Sequence, residues 1–351
     1  MKIKFSRKAL VAMLAVSALT LSACSSSSDD ASGDIKVSLI LKNQTNPFFV
    51  SMVKGAEAKA AELGIDLTIS SGKEEGDDAA QITAIENAIS AKHAGIVITV
   101  MSTNVNAAIT KAREAGLLVI ALDTPTDPAD IADITFATDN REAGRLIGQW
   151  GAKKLGGQKA VIALLNIFDD RVSPVDYLRD NGFLEGMGIP TNDPNKMADE
   201  AKKGKYSGGD YEIVGNVATG ANEDGGRTGM EKLLAKNPNI NIVYTINEPT
   251  AIGACAALKA AKKTAIMVSV DGGLSGIEAV KSGCIGATSQ QYPLRMADFG
   301  LQAIYDLVKT GKKPEVTAGK DFFDTGVTLI TDDPQDGVKS ESRQYGIDNA
   351  W

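Results

Sequence analysis

The sequence predicts an α/β protein with two doubly wound, parallel-sheet lobes, and three observations support this prediction. Short β-branched runs alternate with amphipathic helical patterns along most of the chain, as is typical of βαβ units. The runs are continuously apolar, which favours strands that are covered on both faces. With 351 residues, of which 43% are hydrophobic and 23% charged, the chain is long enough for two domains.

The alternation forms two blocks, which are separated by the Pro-rich stretch DTPTDPAD. In the first block we expect strands at 35–41, 65–70, 96–100 and 117–122, and helices from 47 to 63, 77–92 and 105–115. In the second block we expect strands at 159–165, 211–217, 242–246, 266–270 and 285–289, and helices near 174–187, 223–236, 248–262 and 275–282. The polar insertion 190–209 is predicted to be a surface excursion. Two doubly wound units bring two carboxyl sheet edges into one molecule, and facing edges would form a binding cleft.

The first 24 residues have the pattern of a signal peptide. Four basic residues precede an apolar run from 9 to 21, which is too short for a stable membrane span. The run closes on Leu21-Ser22-Ala23-Cys24, which resembles the bacterial lipobox and implies that Cys24 is lipidated. Residues 25–34 are predicted to be a flexible tether. We therefore expect an exported protein that is lipid-anchored on the outer face of the cytoplasmic membrane.

Charge and residue usage exclude several classes of function. Without the four basic residues of the presequence, the 37 Lys and Arg fall to 33 against 44 Asp and Glu, a net charge near −11, which argues against nucleic acid as a partner. His93 is the only histidine, so a histidine-based metal site and a Ser-His-acid triad are excluded. No cofactor or metal is expected. Cys255 and Cys284 do not make a disulfide framework; we expect buried small hydrophobic residues there, with their pairing left open.

Polar residues follow four of the predicted strands at the point where each strand ends. Asp123 ends LLVIALD, Asn247 ends NIVYTIN, Asp271 ends IMVSVD, and Gln290 and Gln291 end IGATSQQ. Each one alone is explained as a helix cap. Together they favour a binding site at the carboxyl edges of the sheets.

The stretch TNPFFVSM places two aromatic rings at a junction between a strand and a helix. Pro47 fits the first turn of a helix, where its missing N–H costs nothing. Phe48 and Phe49 therefore lie at the ligand-binding edge of the first block. Their alternative role is to staple the helix to the core.

Enzyme motifs in the sequence are incomplete. The glycines at 272, 273 and 276 lack the spacing of a dinucleotide fingerprint, and no G-x-x-x-x-G-K-[ST] motif occurs. Ser51-Met52-Val53-Lys54 and Lys309-Thr310-Gly311 match two motifs of serine β-lactamases. The second of these ends a helical pattern rather than a strand, and Thr138-Asp139-Asn140 stands where that family needs S-D-N. An exported serine hydrolase remains a distant alternative.

Seven collinear motifs resemble those of the ribose/galactose-type, or type I, periplasmic sugar-binding proteins of ABC importers. They are TNPFFVSM, VIALDTPTDP, FATDN, VYTINEPTAIGA, VSVDGG, ATSQQYP and DTGVTLIT, and the greatest similarity is to fructose-binding components. The resemblance implies two lobes joined by a hinge with three chain crossovers, one lobe from 35–138 plus 292–324 and the other from 139–291 plus 325–351. It also implies a monomer that takes a monosaccharide, most similar to the fructose binders, to an ABC permease with a separate ATPase subunit.

The resemblance further implies a set of ligand-binding residues: Lys42, Asn46, Phe48, Phe49, Asp123, Thr124, Arg179, Asn222, Asn247, Asp271 and Gln291. Two of these depart from the ribose binders, since Thr124 replaces an Arg and Lys42 replaces a small residue, as in the fructose-type relatives. The family's second-lobe Arg aligns near Tyr177, two residues before Arg179, and its closing aromatic aligns near Asn222.

Other ligands and another class stay open at this point. Ribose, xylose or another small polyol-like molecule, such as a quorum signal, are the alternative ligands. A repressor core shares the implied fold, but the export signal, the acidic charge and the lack of an N-terminal DNA-binding segment argue against it.

Overall fold

The computed structural model describes residues 35–351, so the predicted signal peptide, tether and lipidated Cys24 lie outside the described residues. The α-helices are α1 Pro47–Leu63, α2 Asp78–Ser90, α3 Asn106–Glu114, α4 Asn140–Lys154, α5 Pro174–Met187, α6 Glu223–Lys236, α7 Glu248–Ala260, α8 Leu274–Lys281, α9 Pro293–Thr310 and α10 Arg343–Asp348. The strands are β1 Ile35–Leu41, β2 Ile65–Ser71, β3 Gly95–Ile98, β4 Leu118–Leu122, β5 Ile134–Ala137, β6 Ala160–Asn166, β7 Lys203–Tyr206, β8 Gly209–Ala218, β9 Ile242–Thr245, β10 Ile266–Asp271, β11 Ala287–Gln290, β12 Phe323–Asp324 and β13 Thr328–Ile330. Within this range, no helix is both long and apolar enough to cross a membrane.

The first sheet has six parallel strands in the order β12-β5-β4-β3-β1-β2. Side chains alternate along β1, so that Val37, Leu39 and Leu41 face one core and Ile40 faces the other. Helices α1 and α9 cover one face, and α2 and α3 cover the other. This three-layer lobe confirms the predicted doubly wound architecture.

The second sheet has seven strands in the order β13-β11-β10-β9-β6-β8-β7. Helices α4 and α5 cover one face, and α6, α7 and α8 cover the other. Its central strands are parallel, whereas β7 and β13 pair antiparallel at the two edges. Most residues of the predicted surface excursion at 190–209 are exposed, and within it β7 extends the sheet.

The chain passes between the two sheets three times, after β5, after β11 and after β12. Helix α4 then packs on β10 and β11, α9 packs on β3 and β4, and α10 packs on α8 and β13. The predicted lobe limits at 138/139, 291/292 and 324/325 fall in these connections, and as limits of rigid bodies they stay predictions. In both sheets the first strand lies in the interior. The chain crosses to its other side after two strands in the first sheet and after three in the second, so each lobe has a switch point beside its first strand.

Cys255 and Cys284 form a disulfide bond between α7 and the segment that leads into β11. Both residues are half-buried rather than buried. The expectation of two buried small hydrophobic residues was therefore wrong. Their pairing joins elements whose cysteines lie 29 residues apart in the sequence.

Candidate ligand-binding site

A small cavity of about 30 Å³ lies between the carboxyl edges of the two sheets. The first lobe contributes Lys42, Asn46, Phe48, Phe49, Glu75 and Asp123. The second lobe contributes the polar residues Arg179, Asn247, Asp271 and Gln291 and the apolar residues Ile167, Val175, Ala221 and Ile246. Nine of the eleven predicted ligand-binding residues therefore line the same cavity.

Phe48 and Phe49 form the aromatic wall of the cavity at the start of α1. The Asn46 side chain caps this helix by accepting the Phe48 backbone N–H at 3.0 Å, and Pro47 occupies the first helical position. The two rings meet edge to face with centroids 5.4 Å apart, and both are buried in the first-lobe core. The two rings thus belong to the first-lobe core and also line the cavity.

Lys42 and Glu75 form a buried ion pair in the first lobe, with 3.2 Å between Nζ and Oε1. Their side chains are only 2% and 6% exposed, so Lys42 is an interior residue. Asn43 also donates to Glu75, at 3.0 Å. A buried charge is tolerated only with a partner of opposite sign. The Lys42–Glu75 pair therefore makes this part of the cavity wall polar but without net charge.

Arg179 lies at the centre of the polar groups. Its Nε donates to Asn140 Oδ1 at 2.8 Å, and its Nη1 donates to the Ile246 carbonyl at 3.0 Å. Its Nη2 lies 3.4 Å from Asp123 of the first lobe, and the same Nη1 lies 4.0 Å from Asp271 of the second. The guanidinium therefore links carboxylates from the two lobes.

Glycines in α4 and α5 set the position of Arg179. A Cβ on Gly144 would lie 2.2 Å from the Arg179 carbonyl oxygen, and one on Gly148 would lie 2.1 Å from that of Phe183. The two helices consequently touch through their backbones. This close approach brings Asn140, at the start of α4, against the Arg179 side chain.

Asp123 and Asp271 both occupy backbone conformations that are unusual for a residue with a side chain. Their φ angles are +62° and +143°, in a region that favours glycine. Burial raises the pKa of Asp271 to about 7, and the nearby Arg179 opposes this shift. The Gln291 amide donates to Asp271 at 3.0 Å, while its own oxygen has no hydrogen-bond partner within residues 35–351. That buried oxygen is an acceptor available to a ligand.

Two further buried carboxyl groups support the loops around the cavity. Asp176 accepts the backbone N–H groups of Ile167 and Phe168, and burial raises its pKa to about 7. Glu248 accepts the N–H of Gly272 at 2.8 Å and the Thr288 hydroxyl at 2.8 Å. Burial and the nearby Asp271 raise the pKa of Glu248 to about 8. These groups hold the loops that follow β6 and β10.

Two predicted residues lie outside the cavity. The Thr124 side chain is buried, and its hydroxyl donates to Asp123 at 3.0 Å. Asn222 is exposed and caps α6 by accepting the Gly225 N–H, so it does not line the cavity and its ligand-binding role stays a prediction. Asn247 does line the cavity, but it is also the cap of α7, and both ends of its amide are bonded to the chain, to Thr250 and Ala221.

Sequence reasoning missed Glu75 and the apolar residues of the second lobe. Glu75 belongs to the stretch KEEGDD after β2, which looks like a solvated charged loop. Its position just after a strand was the signal that could have found it. Ile167 follows β6 and Ile246 follows β9 in the same way.

The two lobes contact each other at the mouth of the cavity, so the structure is in a closed form. Arg171 of the second lobe donates to the Gly76 carbonyl at 2.7 Å and contacts Asp78 at 3.0 Å. Its guanidinium lies over the Phe168 ring, 5.1 Å from the centroid. Beside it, the Thr103 N–H donates to the Val172 carbonyl at 3.0 Å. We refer to Arg171 with Gly76 and Asp78 as the mouth latch.

The hydrolase motifs do not form a site. Ser51 is buried within α1, and Lys309-Thr310-Gly311 ends α9, where Gly311 adopts a left-handed cap. The Thr310 hydroxyl donates back to the Asp306 carbonyl of the same helix. A β-lactamase needs the second motif on a strand that edges the active site, so this alternative is excluded.

Two α/β lobes that enclose one small polar and aromatic cavity define a solute-binding protein rather than an enzyme. Residues 37–313 match the family described as the periplasmic binding protein domain. The chain belongs to this family, with the type I fold.

Relatives match over most of their length. The ribose import binding protein of Haemophilus influenzae is 29% identical over 290 residues, which cover 82% of this chain and 90% of that protein. The D-allose-binding periplasmic protein of Escherichia coli is 26% identical over 302 residues, with 84% and 91% covered. An ABC transporter solute-binding protein of Agrobacterium vitis, solved with bound D-fucose, has a TM-score of 0.73 at 24% identity and covers 90% of this chain and 100% of that chain. This last likeness concerns the fold.

Proposed function

We propose that the protein binds a monosaccharide, with fructose as the first candidate, between its lobes and delivers it to the permease of an ABC importer. The observation that carries the proposal is the composition of the cavity: an aromatic wall from the first lobe faces carboxylates from both lobes. A sugar ring has apolar C–H faces and an equator of hydroxyls, so it needs both kinds of surface. The names of the ribose and allose relatives agree with this ligand class.

The charges of the cavity favour a neutral ligand. Lys42 and Arg179 stand against Glu75, Asp123 and Asp271, and the pKa of Asp271 near 7 leaves that group partly protonated. The site is therefore close to electrical balance. A sugar acid or sugar phosphate would bring an uncompensated charge into it.

Hinge closure follows from the division of partners between the lobes. Asp123 and Phe48 belong to the first lobe, whereas Asp271 and Arg179 belong to the second. A ligand that binds both sets favours the closed form. A monomer with this closed surface would present the sugar to a permease, whose ATPase is a separate subunit.

A thermal-shift panel of fructose, ribose, xylose and allose on the mature domain tests the ligand. We expect fructose to raise the midpoint most, since bound ligand at about a hundredfold its Kd adds roughly 2.7 kcal/mol of stability. Glucose 6-phosphate should have no effect. A larger shift with ribose would contradict the fructose assignment and leave monosaccharide binding intact, whereas no shift with any sugar would contradict the function itself.

Asp123→Asn and Asp271→Asn test the carboxylates while they keep the side-chain shape. Each variant replaces a charge-assisted acceptor by a neutral amide, so we expect the Kd for the best sugar to rise by about fivefold or more. Asp133→Asn is the matched control, because Asp133 pairs with Arg113 on the first-lobe surface outside the cavity. Isothermal titration of all three variants is the measurement, and unchanged binding by either cavity variant would remove that carboxylate from the site.

The lipid anchor at Cys24 is a separate part of the proposal. Cys24→Ala should release the protein from the membrane fraction and leave sugar binding unchanged. Two or three acyl chains hold a protein firmly, at about 0.8 kcal/mol per buried CH₂. Retention of the variant in the membrane fraction, measured by cell fractionation, would count against lipidation at this residue.

A further inference from the structure

Trp351 follows α10 and makes contacts with both lobes. On the second-lobe side its indole N–H donates to the Gln291 carbonyl at 3.1 Å. Its ring also lies on the backbone of Gly273, where an added Cβ would be 2.9 Å from the indole. On the other side its ring packs against the first-lobe core through Phe48, edge to face, with centroids 5.4 Å apart.

Two of the three residues that the indole contacts, Phe48 and Gln291, belong to the cavity wall. Phe48 is one of the two aromatic rings that line it, and the side chain of Gln291 lines it and donates to Asp271. Trp351 itself is not a lining residue. It therefore contacts the Phe48 ring of the first lobe and the Gln291 backbone of the second without lining the cavity itself.

We propose that Trp351 is a positioning residue of the ligand site. Its indole fixes the position of the Phe48 ring relative to the Gln291 backbone when the lobes are closed. An edge-to-face pair is directional, and the N–H bond fixes the indole relative to Gln291. Loss of the indole loosens the aromatic wall and removes a contact that exists between the lobes. The inference rests on the proposed sugar-binding function.

The chain contains a matched control for this proposal. Trp150 is the other of the two tryptophans, and its indole N–H also donates to a backbone carbonyl, that of Asp333, at 2.8 Å. Trp150 is buried in the second-lobe core and is not part of the cavity. Trp150→Phe and Trp351→Phe thus remove the same kind of hydrogen bond, one inside a lobe and one at the site.

The experiment measures sugar binding and stability on the same variants of the mature protein. The probe is the sugar of the fructose, ribose, xylose and allose panel that binds the wild type most tightly by isothermal titration. Trp351→Phe keeps a ring and should raise the Kd about threefold to fivefold, whereas Trp351→Ala should raise it about tenfold. Trp150→Phe should lower the thermal midpoint without ligand and leave the Kd unchanged.

Intrinsic fluorescence provides a second readout. In Trp150→Phe the only indole left is that of Trp351, so addition of the sugar should still change the emission. In Trp351→Phe that change should be lost, because the remaining indole lies in the interior of one lobe.

The outcomes separate this inference from the function on which it rests. No binding of any panel sugar by the wild type would contradict the function. Wild-type binding together with an unchanged Kd in Trp351→Ala would overturn the positioning role alone. Equal rises in Kd for Trp150→Phe and Trp351→Phe would also overturn it, since the effect would then come from general destabilisation.

Discussion

Replacement of Arg179 by Met should destabilise the ligand-free protein in a manner that depends on pH. The guanidinium donates to two neutral acceptors, Asn140 Oδ1 and the Ile246 carbonyl, and it faces the carboxylates of Asp123 and Asp271 at 3.4 and 4.0 Å. Met has a similar length and no donor. Asn140 Oδ1 and the Ile246 carbonyl would then lose this donor, and the buried carboxylates of Asp123 and Asp271 would lose their cation.

The expected loss of stability in Arg179→Met differs above and below the pKa of Asp271. At pH 8.5, above its pKa of about 7, the loss of a buried ion partner should cost about 4 kcal/mol. At pH 5.5 Asp271 is protonated and neutral, so removal of the cation costs less stability. The loss should then approach roughly 2 kcal/mol, which is the cost of leaving the neutral acceptors unpaired.

Urea unfolding of wild type and variant at both pH values measures this difference. The comparison between the two proteins cancels the titration of groups that do not contact Arg179. Arg113→Met is the control, because Arg113 forms a half-exposed ion pair with Asp133 and should cost less than about 1 kcal/mol at either pH. An equal loss at pH 5.5 and 8.5 for Arg179→Met would refute the electrostatic role that we assign to this residue.

Three further outcomes follow from contacts described above. Arg171→Met opens the mouth latch, so stopped-flow measurements should show sugar dissociating about fivefold faster; an unchanged rate would mean that the latch does not hold the closed form. The double variant Cys255→Ser/Cys284→Ser should lose about 3 kcal/mol of stability in chemical unfolding, because the bond closes a chain segment of 29 residues, and a change in sugar Kd would show that the cystine also affects the cleft. The wild type should lose stability as the pH rises from 5.5 to 8.5, because burial raises the pKa of Asp176 and Glu248. Over this range the native state must give up protons that the unfolded state has already lost. A thermal midpoint that rises with pH would contradict this.

Local sequence patterns were sufficient for most helices and central strands. Helices α5 and α6 have the predicted bounds of 174–187 and 223–236. A Pro at the first helical position or an Asn at the cap marks the start of a helix, and both signals can be seen in the sequence. The rule that ligands bind at the carboxyl edge of a parallel sheet found Asp123 and Asp271, since each directly ends a strand.

What the patterns missed depends on contacts between distant segments. Strand β7 is polar and forms only because β8 offers it an edge, while β12 has two residues and is defined by its pairing with β5. The Cys255–Cys284 bond needs the packing of α7 against the segment before β11. Asn222 has the same cap chemistry as Asn247, and only the three-dimensional position separates the residue that lines the cavity from the one that does not.

The positive φ angles of Asp123 and Asp271 have a consequence for the thermodynamics of ligand capture. Each such conformation costs about 1 to 3 kcal/mol, and the surrounding sheet provides this energy when the chain folds, before any ligand arrives. The two carboxylates are therefore preorganised, and binding does not have to restrict their backbone entropy. Glycine at either position would relieve the strain and would gain backbone freedom in exchange. The protein thus gives up part of its own stability to keep these two carboxylates in fixed positions.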